Sequence, residues 1–100
     1  LVYTGDFYNG MFDGDGKSYN ATTQYPIYIG TFRNGKYDGV GTLYDYNTGA
    51  KIYEGDFLLG QLNGHGKLYN TDNGMLIAQG EFRNGEYILN ESISTEVVGF

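Results

Sequence analysis

The chain contains no cysteine and no tryptophan, and only one proline and one histidine in 100 residues. Without cysteine there is no disulfide, no thiol nucleophile and no thiolate metal site, and the redox compartment stays open. Positive charge is also scarce. Six basic residues, Lys17, Arg33, Lys36, Lys51, Lys67 and Arg83, stand against twelve acidic ones, for a net charge of −6. Nucleic acids and anionic lipid surfaces reward clustered Lys and Arg. Here the cations are scattered and outnumbered, so nucleic acid is excluded as a partner and membrane lipid is disfavoured. No apolar run approaches the ~20 residues that a membrane-spanning helix needs. No secretory leader opens the chain, and Leu1 in place of Met reads as the start of a piece of a longer protein.

Glycine and aromatic residues are abundant: 17 Gly, 11 Tyr and 6 Phe. Average glycine usage is about 7%, so something in the fold demands it. There is no Gly-X-Y triplet, which excludes collagen, and this many rings argue against disorder.

Laying the chain on itself supplies the reason. Gly5, Gly30, Gly55 and Gly80 recur every 25 residues, as do Phe7, Phe32, Phe57 and Phe82, and Gly10, Gly35, Gly60 and Gly85. Tyr3, Tyr28 and Tyr53 keep the same stride, with Ala78 in the fourth place. Gly14, Gly39 and Gly64, then Gly16, Gly41 and Gly66, complete the pattern over three copies. The repeats are expected at residues 3–27, 28–52 and 53–77, with a partial fourth over 78–93 and a C-terminal cap over 94–100.

Glycine at such density opposes helix by about 1 kcal/mol per residue. Alternation of apolar and polar residues and recurrent Asn-Gly pairs at 9–10, 34–35 and 84–85 point to two-residue hairpin turns. Each repeat is therefore predicted to be a β-hairpin, and the fold an all-β, elongated, single-layer antiparallel meander. Pairing outward from Asn34-Gly35 sets Phe32 opposite Tyr37, Gly30 opposite Gly39 and Tyr28 opposite Gly41. A symmetric link around Thr48 then sets Leu43 opposite Tyr53, Gly41 opposite Gly55 and Gly39 opposite Phe57. On this reading the rings share one face with the glycines, and each ring lies in the gap that a missing side chain leaves. The links carry Asn, Asp, Thr and Gly, which are turn chemistry. The first link lacks the glycine and ends on Pro26, so an irregular turn is expected there. In the fourth copy Leu89 and Glu91 replace the later glycines; Leu89 and Ile93 are expected to fill the aromatic face, and Glu91 and Glu96 to discourage edge pairing.

The stretch "YIGTFRNGKYDGVG", with its in-phase counterparts from Tyr3 to Tyr87, resembles the membrane occupation and recognition nexus (MORN) repeat. The stride is longer than the family's common unit, with the extra residues in the links, and Phe stands where many members carry Trp. The resemblance implies curved β-meanders that act as scaffolds more than as enzymes. It also implies lipid binding as the family's namesake role, with such arrays attached to lipid kinases, methyltransferases and junction proteins.

Other motifs fail their chemistry. "DGDGK" begins like a calcium loop, but Lys17 and Gln24 occupy the fifth and twelfth places, where oxygen ligands belong. "GDGKS" lacks the leading glycine and the following helix of a phosphate loop. His65 stands in a variable column with no nucleophile in view. Asp6, Asp56 and Glu81 form a column that reads as a solvated acidic stripe. No cofactor and no metal are expected. The candidate site is an aromatic groove lined by Tyr3, Phe7, Tyr28, Phe32, Tyr37, Tyr53, Phe57 and Phe82, structural first and binding second. A protein or peptide, a basic one included, or another part of the same chain is the expected partner.

Overall fold

A computed structural model describes residues 2–88. Eight strands run in chain order through one sheet: β1 Val2–Tyr8, β2 Met11–Tyr19, β3 Pro26–Arg33, β4 Lys36–Tyr44, β5 Lys51–Leu58, β6 Gln61–Tyr69, β7 Leu76–Arg83 and β8 Glu86–Tyr87. Every neighbour is antiparallel and every connection joins adjacent strands. The extents of 49 × 28 × 14 Å leave the thin direction room for one sheet and its side chains.

The four hairpins turn on residue pairs with positive φ at both positions, such as Asn34 at 51° and Gly35 at 80°. That is the type I′ turn the Asn-Gly pairs predict. In the third hairpin Leu59 takes this conformation at φ 50°, without the amide that makes it comfortable for Asn.

Within the first three hairpins the register differs from the simple ladder. Gly30 faces Gly41, and Tyr28 faces Leu43, where the sequence reading set them opposite Gly39 and Gly41. The cause is a bulge beyond the Phe32–Tyr37 pair. One residue, Thr31, faces the three residues Asp38 to Val40, and Gly39 turns there with φ 87°. The Thr31 hydroxyl meets the Asp38 carbonyl within this bulge. The same shift occurs between Gly5 and Phe7 and between Gly55 and Phe57. Two extra residues preserve the alternation, so the rings stay on one face. Between repeats the expected register holds: Leu43 faces Tyr53, Gly41 faces Gly55 and Gly39 faces Phe57.

The first link is not irregular. Asn20 N–H donates to Tyr25 O (3.0 Å) and Gln24 N–H to Asn20 O (2.8 Å). Asp45 and Gly49 make the equivalent pair in the second link, Asn70 and Gly74 in the third. Gln24 adopts φ 66° where the other links have Gly49 and Gly74. Pro26 opens β3 at the place where Lys51 and Leu76 open β5 and β7, a first-residue position where a missing N–H is tolerated. The cap over 94–100 and the roles expected of Leu89, Glu91, Ile93 and Glu96 lie outside the described residues.

The core is the ring face. Tyr28, Phe32, Tyr53, Phe57 and Phe82 are buried, with Tyr3, Phe12, Tyr37, Leu43, Leu62 and Leu68 packed against them.

Candidate functional site

The ring face is built from three columns. The first is Tyr3, Tyr28 and Tyr53, each lying across the following strand. A Cβ on Gly41 would fall 2.1 Å from the Tyr28 hydroxyl oxygen and 2.3 Å from its Cζ, and one on Gly66 equally close to Tyr53. The ring therefore occupies the volume of the absent side chain. Its hydroxyl reaches a carbonyl that the bulge has freed: Tyr3 donates to Asp6 O (2.7 Å), Tyr28 to Thr31 O (3.0 Å) and Tyr53 to Asp56 O (2.9 Å). In the fourth copy Ala78 supplies no hydroxyl, and Ile88 N–H donates to Glu81 O instead (2.8 Å). Burial pushes the Tyr28 phenol well above the ordinary tyrosine range, and the Tyr53 phenol up to about 12, with the Asp56 charge adding to the effect.

The second column, Phe12, Tyr37 and Leu62, lies over the first. Tyr3 stacks on Phe12 at 3.7 Å and Tyr28 on Tyr37 at 4.0 Å. The third, Phe32, Phe57 and Phe82, meets the tyrosines of the preceding repeat edge-on at 5.1 Å. Of the eight residues predicted for the groove, Tyr28, Phe32, Tyr53, Phe57 and Phe82 are buried, Tyr3 and Tyr37 half-buried, and Phe7 exposed. The sequence reading omitted Phe12, although its 25-residue offset from Tyr37 was a usable signal.

The ring face has one hole. Leu43 and Leu68 occupy a column whose first member is Ser18. With the smaller residue there, a cavity of about 270 Å³ opens between Phe12, Phe32 and Tyr37, with Lys36 and the tip glycines Gly35 and Gly60 also lining it. Ser18 borders this space with only 2% of the residue exposed; its hydroxyl oxygen is closed off from the surface and makes no hydrogen bond.

The repeats are latched together at their tips. Gly35 N–H donates to Phe12 O (2.9 Å), Gly60 N–H to Tyr37 O (2.8 Å) and Gly85 N–H to Leu62 O (2.9 Å). Beside them the Asp13, Asp38 and Asn63 side chains accept from the N–H of Asn34, Leu59 and Asn84 at 3.2–3.3 Å. Asp13, tested above as a calcium ligand, is a latch residue.

The opposite face carries a shallow trough of about 570 Å³ over glycine backbone, walled by Ile29, Val40, Thr42, Glu54, His65 and Lys67 among others. Asp6 and Asp56 are not freely solvated. They sit in the bulges and accept from Asp15 N–H (3.3 Å) and His65 N–H (3.1 Å), filling the space beside Gly14 and Gly64. Glu54 accepts from the Tyr69 hydroxyl and pairs with Lys51 at 3.2 Å, and these two partners hold its carboxyl below the usual range. His65 is well exposed, 3.9 Å from Glu81. Among the described residues no group of three or more His, Cys, Asp or Glu is placed to hold a metal. None of them forms a helix long and apolar enough to cross a membrane.

A single-layer ribbon of glycine-and-ring hairpins is a β-hairpin repeat array. The MORN repeat family model matches residues 3–21, 28–49 and 53–75, well over half the chain, and the chain belongs to that family. Repeats of this family are generally non-catalytic and are linked to protein or membrane-lipid interaction. No curated protein matches the chain.

Proposed function

We propose that this chain is a non-catalytic module that holds a segment of a partner protein on its aromatic and glycine groove. Tyr28, Phe32, Tyr53, Phe57 and Phe82 shape the groove from within; Tyr3, Phe7, Tyr37 and Phe12 offer it surface. The observation that carries the reading is the cavity beside Ser18. Three rings around a hollow call for an apolar, aromatic side chain. Tyrosine fits that description, since aromatic anchors in desolvated pockets dominate peptide recognition. The net charge of −6 favours neutral or basic flanking sequence over an anionic membrane.

The test uses Ser18→Leu, which gives the first repeat the residue found at Leu43 and Leu68. Filling the cavity should stabilise the fold by ~1–2 kcal/mol. It should also abolish enrichment of tyrosine-bearing peptides from a displayed random library. A Ser18→Leu variant that selects the same peptides as the wild type overturns the reading. Co-sedimentation with phosphatidylserine vesicles, set against neutral ones, checks the lipid alternative; salt-sensitive pelleting of the wild type would favour it.

A further inference from the structure

Phe7 is 59% exposed, whereas its equivalents Phe32, Phe57 and Phe82 are 4%, 3% and 2% exposed. The difference has a visible cause. Each buried member is covered by the repeat before it: Phe32 by Tyr3 and Phe12, Phe57 by Tyr28 and Tyr37, and Phe82 by Tyr53. Phe7 has no such cover, and Tyr8 and Met11 beside it are exposed too. The tips repeat the contrast. The N–H groups of the second, third and fourth turns are all latched to the preceding repeat, but among the described residues nothing accepts from Asn9 or Gly10. Among the described residues β1 is also an edge strand, with one side of its backbone unpaired.

The three internal junctions therefore specify what fits this surface. We infer that β1 is the acceptor edge for one further hairpin of this same repeat class, supplied from outside these 100 residues. The β4–β5 junction gives its register. The incoming second strand runs antiparallel to β1, with one glycine opposite Phe7, another opposite Gly5 and an aliphatic residue opposite Tyr3. Its ring column covers Phe7, a carbonyl accepts from Gly10 N–H, and an Asp or Asn side chain accepts from Asn9 N–H. Strand addition of this kind draws affinity from the backbone and specificity from alternate side chains.

A second copy of the chain fits less well. Its own β1 would set Tyr3 opposite Phe7, where every internal junction has glycine. Its fourth repeat carries Leu89 and Glu91 in the two glycine columns. The inference concerns the edge, not the cavity beside Ser18, and stands or falls separately from the groove reading.

The probe is a synthetic peptide with the sequence of residues 26–46, titrated into the intact chain. We expect one-to-one binding, slower amide hydrogen exchange at Asn9 and Gly10, and affinity reduced by about tenfold or more in Phe7→Asp. Because Phe7 is exposed, that variant keeps the fold, which circular dichroism verifies. A control peptide with its Gly39 and Gly41 positions changed to Val should not bind. Ser18→Leu should bind the peptide as the wild type does. Absence of binding, or binding untouched by Phe7→Asp, overturns the inference. So does a dimer of the chain alone that Phe7→Asp dissolves, since the edge would then serve a second copy.

Discussion

Gly41→Ala isolates the interaction on which the ribbon rests. The Gly41 backbone lies outside the positive-φ range, so alanine meets no conformational objection there. The difficulty is the Tyr28 ring, whose Cζ and hydroxyl oxygen would sit 2.3 and 2.1 Å from the new methyl. The ring has nowhere to go. It is fully buried, stacked on Tyr37 at 4.0 Å and held edge-on by Phe32 and Phe57 at 5.0 and 5.1 Å. Overpacking of this kind costs ~1–3 kcal/mol, and loss of the hydroxyl's bond to Thr31 O adds ~1 kcal/mol. Relief of glycine's chain entropy returns ~0.5–1 kcal/mol. The net loss is about 1–3.5 kcal/mol, a sizeable share of the ~5–15 kcal/mol that holds a typical domain. Gly35→Ala is the control. Its methyl meets nothing within 4 Å, and only its φ of 80° resists, for ~1–2 kcal/mol. Urea unfolding followed by circular dichroism compares the two. In a Tyr28→Leu background the Gly41→Ala penalty should shrink to ~1 kcal/mol or less. If Gly41→Ala costs no more than Gly35→Ala, or costs as much without the Tyr28 ring as with it, the ring-in-slot account is wrong.

Two further predictions concern strain and pH. Gln24→Gly and Leu59→Asn each place a residue suited to positive φ where the chain now strains a poorer one, and each should raise stability by ~0.5–1 kcal/mol in the same unfolding assay; destabilisation by either would refute the strain argument. The Tyr28 and Tyr53 phenols titrate higher in the folded chain than the ~10 of an unfolded one. The folded state therefore binds more protons above that pH, so the contribution of these two phenols is fully present below pH ~10 and stability should fall as pH rises through ~10–12. Ultraviolet titration should show the buried pair ionising only with loss of circular dichroism. Ionisation of all the tyrosines near pH ~10 with the fold intact would contradict this.

Much of the architecture was legible because the repeat printed it many times over. The Asn-Gly pairs announced the hairpins, and alternation about them placed the rings and glycines on one face. What escaped was local. A ladder zipped outward from Asn34-Gly35 passes straight through Gly39, since a glycine letter does not say whether its φ is positive. The bulges are secured by contacts across strands: Thr31 meets the Asp38 carbonyl, while Asp6 and Asp56 accept from the N–H of Asp15 and His65. The first link looks irregular in sequence because it lacks glycine and ends on Pro26; its own hydrogen bonds hold Gln24 in the same turn regardless. The cavity was present in the sequence as Ser18 heading a column of Leu43 and Leu68. The roles of Asp13, Asp38 and Asn63 were hidden because their acceptors serve the next repeat, not their own.

The tip latches give the ribbon a direction. The second, third and fourth turns are each satisfied by the unit ahead in sequence and give nothing back, so the two ends are not interchangeable. Trimming from the rear removes a unit and leaves all remaining turns served. Trimming from the front strips the support from the turn behind. A nascent chain therefore offers each emerging hairpin a finished template, and growth proceeds one whole unit at a time.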